Sequence, residues 1–161
     1  MQTLPEASTI PAPTAAPGSA CGRPARLWVT WMIVWIEAVI AFSALTIVWR
    51  GISDGLFNWV AFGSTDTPDS FSPQAVDHLF FAFGVLSSLT IGWMVLLLFV
   101  VWTPFRRGEP WARRAIIASV GTWLVVDSIF SIAVGVPANA LLNLGFAIGL
   151  VPPMVATRRL A

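Results

Sequence analysis

Four long apolar runs dominate the pattern of hydrophobic and polar positions. They cover residues 27–49, 79–103, 115–136 and 138–157. Each run has about 20 residues or slightly more, the length that a helix rising ~1.5 Å per residue needs to cross ~30 Å of hydrocarbon. The runs are continuous and do not alternate apolar with polar positions, which excludes the strands of a membrane β-barrel. The pattern predicts an all-α protein with four transmembrane helices over residues 27–159.

The segments between the runs predict how the helices are connected. Residues 50–78 form the one long connection, and its first part, 51–62, is apolar enough for a short helix or turn lying on the outer membrane face. Proline and glycine mark the two short connections, at Pro104, Gly108, Pro110 and 135–137. Because short connections favour antiparallel neighbours, we expect an up-and-down bundle.

The N-terminal segment, residues 1–26, differs in composition from the rest of the chain. It is rich in Pro, Ala, Ser and Thr, and such a segment buries too little apolar area to offset its ordering entropy. We expect a disordered cytoplasmic tail. Cys21 is the single cysteine, so no disulfide forms within the chain.

Composition and charge place the chain in a membrane and orient it. Hydrophobic residues make up 57% and charged residues 11%, against about 25% charged in soluble domains. All nine basic residues are Arg, which suggests a GC-rich bacterial genome. One side of the predicted spans carries all of them except Arg50, namely Arg23, Arg26, Arg106, Arg107, Arg113, Arg114, Arg158 and Arg159. The positive-inside rule then places both termini in the cytoplasm. Together with the suggested bacterial origin, the apolar spans predict a protein of the bacterial inner membrane.

Two acids lie within the apolar runs, where each charged group costs about a few kcal/mol. Helix rise places Glu37 ~15 Å and Asp127 ~18 Å from the cytoplasmic ends of their spans, so the two share one depth. Small residues on the Glu37 face predict that this acid points into the bundle. Ser131 lies one turn from Asp127 on the same span, and two other spans carry polar residues at nearby levels, namely Ser88, Asn139 and Asn143. The pattern predicts an intramembrane polar site.

That site has two interpretations. In the first, the polar side chains have a structural role: they hydrogen-bond between helices and contribute about 0.6–2 kcal/mol each. Alternatively, the site is a small hydrated cavity, open outward, whose acids bind a proton, a cation or a polar headgroup.

Small residues at four-residue spacing predict the helix contacts. Close helix packing in lipid favours Gly and Ser, and these recur at Gly84, Ser88 and Gly92 and again at Gly145 and Gly149. We expect packing along these faces, with a homodimer or a contact to a partner membrane protein as the alternative.

The remaining chemistry is sparse. Asp77 and His78 form a pair at the outer mouth, too few ligands for a zinc site. The four arginines of the second connection fix topology and attract anionic lipid headgroups; they are Arg106, Arg107, Arg113 and Arg114. Catalytic motifs, a cofactor site and a nucleic-acid-binding pattern are all missing from the sequence, so we predict no enzyme.

The order of features after residue 56 resembles a group of small four-helix bacterial membrane proteins. The shared features are the Asn58-Trp59 segment, His78 with Phe83-Gly84, Gly92-Trp93, the Arg106-Arg107-Gly108-Glu109-x-Trp111 turn, Asp127-x-x-x-Ser131 and Asn139-x-x-x-Asn143. The resemblance covers roughly residues 56–159 and implies no activity. At fold level the chain is also similar to DoxX-type proteins.

Three functions follow as hypotheses. The leading one is an accessory or structural membrane protein with a polar seam that contacts lipids. The second is a subunit of a proton- or cation-coupled carrier or channel that uses Glu37 and Asp127. The third is a membrane enzyme or redox helper that handles lipid or quinone.

Overall fold

Every regular element in the part of the chain that the structure describes, residues 23–157, is helical. In this computed structural model the elements are α1 (Arg23–Val48), α2 (Arg50–Phe62), α3 (Pro73–Val100), a π-helical turn (Val101–Phe105), α4 (Pro110–Ala133) and α5 (Pro137–Ala156). Four helices, α1, α3 with the π-helical turn, α4 and α5, are long and apolar enough to cross a membrane. The predicted all-α class and multi-pass membrane character are confirmed at this level.

Three helices, α1, α3 and α4, begin four or more residues before the predicted apolar runs. The predicted tail, residues 1–26, lies outside the described residues up to residue 22, and α1 already begins at Arg23. Helix α3 begins at Pro73, ahead of the apolar run, because the Ser72 hydroxyl accepts a hydrogen bond from the Ala75 amide at 3.2 Å and proline suits the first turn. The predicted short helix after α1 is present as α2.

Proline and glycine shape both short turns, as the sequence predicts. Pro104 lacks an amide hydrogen, and the chain around it widens into the π-helical turn before Gly108 adopts a φ of 75°. Gly135, with a φ of 81°, ends α4, and the Val136 amide donates to the Ser131 carbonyl at 2.8 Å. This closure reverses the chain within a few residues and sets α5 directly against α4.

The helices do not form a closed square. Helix α1 packs most extensively on α3 and also on α5, α4 packs mainly on α5, and the contact between α3 and α4 is small. The buried apolar core lies in the half of the bundle that carries the π-helical turn, with Met32, Met94 and Ile116 among its members. A groove bordered by Trp93 of α3 and by residues of α4 lies beside this core.

Helix α5 approaches α1 at a glycine. A side chain at Gly149 would collide with the indole of Trp35. The Gly149 carbonyl also accepts a hydrogen bond from Trp31 Nε1 at 3.0 Å. That carbonyl is free because its helical partner four residues on would be Pro153, which has no amide hydrogen.

The other predicted packing glycines behave differently. A Cβ at Gly84, Gly92 or Gly145 would meet nothing within 4 Å in the described part of the chain. Of the predicted packing positions, Gly149 is therefore the one at which the structure shows a close contact between helices.

Gly149→Ala should lower the free energy of unfolding by about 1–3 kcal/mol relative to Gly145→Ala, because only the former overpacks a contact. Both substitutions gain similar helix propensity, so the comparison isolates the Trp35 contact. Thermal unfolding of the two variants in one detergent measures the difference. Equal midpoints would contradict the close approach of α1 and α5.

Candidate functional site

One hydrogen-bonded cluster joins α4 to α5. Asp127 Oδ2 accepts hydrogen bonds from Asn139 Nδ2 at 2.8 Å and from Asn143 Nδ2 at 2.7 Å. Asn139 Nδ2 also donates to Ser131 Oγ at 2.8 Å, and Asn143 Nδ2 donates to Ser128 Oγ at 3.1 Å. The hydroxyl of Ser131 donates in turn to the Asp127 carbonyl at 2.6 Å. We call these five residues the Asp127 cluster.

Helical spacing and the tight turn together build this cluster. Asp127 and Ser131 are four residues apart on α4, and Asn139 and Asn143 are four apart on α5, so each pair lies on one helix face. The closure at Gly135 brings the two faces together. Ser131 and Asn143 are buried. The sequence singled out all four of these residues, and the structure brings them together.

Glu37 lies elsewhere. It is exposed on α1 and has no hydrogen bond within residues 23–157, so the predicted orientation into the bundle is wrong. The reason is helix phase. Met32 and Ile36 define the buried face of α1, and Glu37 follows Ile36 by about 100° around the helix.

Ser88 is also outside the cluster. It is exposed, and its hydroxyl donates to the Gly84 carbonyl of its own helix at 2.8 Å. The neighbouring Ser87 is buried instead and hydrogen-bonds the Thr46 hydroxyl of α1 at 2.9 Å. Sequence reasoning did not give this α1–α3 contact a role, and only the phase of α3 distinguishes Ser87 from Ser88.

A groove of about 480 Å³ opens between α3 and α4 beside the Asp127 cluster. Its lining residues are Trp93 from α3 and Ser119, Thr122, Trp123, Val126, Asp127 and Phe130 from α4. Trp93 Nε1 donates to Ser119 Oγ at 2.9 Å, and the Trp93 and Trp123 rings lie 5.5 Å apart. Phe146 of α5 packs against both indoles. Aromatic side chains from α3, α4 and α5 therefore meet beside the groove.

The predicted outer-mouth pair is divided between two partners. Asp77 accepts a hydrogen bond from Arg50 Nη2 at 2.8 Å, while His78 Nδ1 lies 2.8 Å from the Gln74 carbonyl of its own helix. Hydrogen bonds with Asp77, and then with Asp54, raise the pKa of Arg50 above its ordinary value. This exposed ion pair joins the start of α2 to α3.

The arginines of the second connection have mixed surroundings. Arg113 donates to the Met154 carbonyl at 2.7 Å, which satisfies a carbonyl in the last turn of α5. Arg106 lies over the Trp102 ring, and Arg107 and Arg114 are exposed. Within residues 23–157, no group of three His, Cys, Asp or Glu side chains is placed to hold a metal ion.

Comparisons with models of protein families, with curated proteins and with solved structures give no match.

The two acids should respond oppositely to replacement by leucine. Glu37→Leu removes a polar group from an apolar surface and should leave the thermal midpoint unchanged or raise it. Asp127→Leu deprives two amide donors of their acceptor and should cost about 1–3 kcal/mol of unfolding free energy. Thermal unfolding in detergent compares them, and equal losses would show that Glu37 has a structural partner.

Proposed function

We propose that the chain is a small multi-pass protein of a bacterial inner membrane with an accessory or structural role. In this proposal the four long helices run antiparallel, and both termini and the connection from Arg106 to Arg114 face the cytoplasm. The asymmetric distribution of arginine supports the orientation. Phospholipids are its immediate partners.

The Asp127 cluster carries the proposal. Both asparagine amides end on the same carboxylate oxygen, and each also reaches a serine hydroxyl. A carboxyl group, two amides and two hydroxyls are therefore used largely on one another. Such a network holds two membrane helices together and needs no ligand to satisfy its donors.

The carrier hypothesis needs Glu37 and Asp127 to act together. Glu37 lies on an exposed face of α1 and has no hydrogen bond within the described residues. The geometry therefore supports the structural role better than a two-acid ion site.

A double-mutant cycle tests the structural role. Asp127→Ala and Asn143→Ala, alone and combined, should show a coupling energy of about 0.6–1.7 kcal/mol, because their bond lies between two membrane helices. Thermal or denaturant unfolding in detergent supplies the values. The matched control cycle, Glu37→Ala with Asn143→Ala, should show no coupling. Zero coupling in the first cycle would contradict the role of the cluster as a helix clamp.

Cysteine labelling tests the proposed orientation. In a Cys21→Ser background, Ser64→Cys lies between α2 and α3, and Arg107→Cys lies between α3 and α4; both sites are exposed. A membrane-impermeant maleimide added to intact spheroplasts should label the first and spare the second until the membrane is permeabilised. The opposite pattern would overturn the assigned topology.

A further inference from the structure

The second oxygen of Asp127 is the starting point for a separate site. Both amide hydrogen bonds to the side chain end on Oδ2, and Oδ1 has no hydrogen-bond partner within residues 23–157. Asp127 is half-buried, and its Oδ1 is not completely enclosed by the protein. Asp127 lines the groove between α3 and α4, so Oδ1 is the carboxyl oxygen that its hydrogen bonds leave for a molecule in the groove.

The walls of the groove suit a positively charged group. Trp93, Trp123 and Phe130 supply aromatic rings, whose faces attract cations within about 6 Å of the ring centre. Ser119 and Thr122 add hydroxyls, and no Arg or His is among the lining residues of the described chain. None of the lining residues carries a positive charge that would balance the Asp127 carboxylate, and a bound cation would complement it.

The volume of the groove and its opening toward lipid restrict which cations can bind there. The volume of about 480 Å³ is within the usual range of small-molecule sites, about 300–1,000 Å³. Thr122, Val126 and Phe130 are exposed on a helix long and apolar enough to span a membrane, so the groove opens sideways toward lipid. A ligand entering this way must be largely apolar. A phosphate-bearing headgroup fits poorly, because the lining offers no basic side chain and a phosphate would face the Asp127 carboxylate.

We infer that the groove between α3 and α4 binds a lipophilic organic monocation, such as a quaternary ammonium or phosphonium ion. Asp127 Oδ1 neutralises the charge, and Trp93 and Trp123 contact the cation through their ring faces. Oδ2 stays bound to the two asparagines, so the helix clamp and the binding site use different atoms of one residue. The site goes beyond the proposed structural role and does not require it.

Radiolabelled tetraphenylphosphonium is a suitable probe. The full chain is purified in maltoside micelles, which carry no ammonium headgroups, and binding is measured by equilibrium dialysis against empty micelles. Wild-type protein should bind in a saturable manner. Asp127→Asn should weaken binding about tenfold or more, because it removes the charge at Oδ1 while an amide oxygen remains for Asn139 and Asn143.

Two further variants separate binding from folding. Glu37→Gln removes the same formal charge from another membrane helix outside the groove, and its affinity should match that of wild type. Trp123→Leu keeps the carboxylate and should weaken binding about threefold or more by removing a ring face. Thermal midpoints of all variants show whether each one is folded.

Three results would overturn the inference. The first is the absence of saturable binding to folded wild-type protein. The second is equal affinity for wild type and Asp127→Asn, or an equal loss in Glu37→Gln, which would show unspecific charge attraction. The third is loss of the difference between wild type and Asp127→Asn in phosphatidylcholine nanodiscs, which would assign the groove to lipid headgroups. Persistence of that difference supports the free cation.

Discussion

A polar atom inside hydrocarbon has no water to bond, so another part of the protein must satisfy it. This constraint accounts for the cross-helix bonds of the structure. Helices α1 and α3 share the Thr46–Ser87 bond, α1 reaches α5 through Trp31 and the Gly149 carbonyl, and α4 reaches α5 at Asp127 and at Arg113. Each bond satisfies a group that the helix itself leaves free.

Proline shows how such groups arise. Pro153 removes the amide that would bond the Gly149 carbonyl, and α1 supplies the indole N–H in its place. The absent side chain at Gly149 gives Trp35 its close contact at the same point. That approach has a cost, because Trp35 Nε1 is buried without a hydrogen-bond partner in the described residues. One glycine and one proline thus determine how α5 meets α1.

The sequence predicts those features that depend on length and local chemistry. The number of apolar helices follows from run length, and the turns at Gly108 and Gly135 follow from their residue types. The association of Asp127 with Asn143 follows from a short turn and four-residue spacing. It is harder to predict from the sequence which residues of a helix face the protein interior. Glu37 and Ser88 are exposed, although each directly follows a buried residue, Ile36 or Ser87. An error of one residue in the predicted helix phase therefore moves a side chain from the buried face to the exposed face. That phase is set by which helices pack on α1 and α3, a tertiary property that short turns do not determine.

The arrangement of the helices is also compatible with both interpretations of the polar site that the sequence allows, namely structural hydrogen bonding and ligand binding. The apolar core is concentrated at one end, the Asp127 cluster lies toward the other, and the contact between α3 and α4 is small. Asp127 lies where the clamp and the resulting groove meet. One oxygen is shared by two amides, while the other has no hydrogen-bond partner in the described residues. The structural role of Asp127 and the proposed ligand-binding role are therefore compatible, because they use different oxygens of the same carboxyl group.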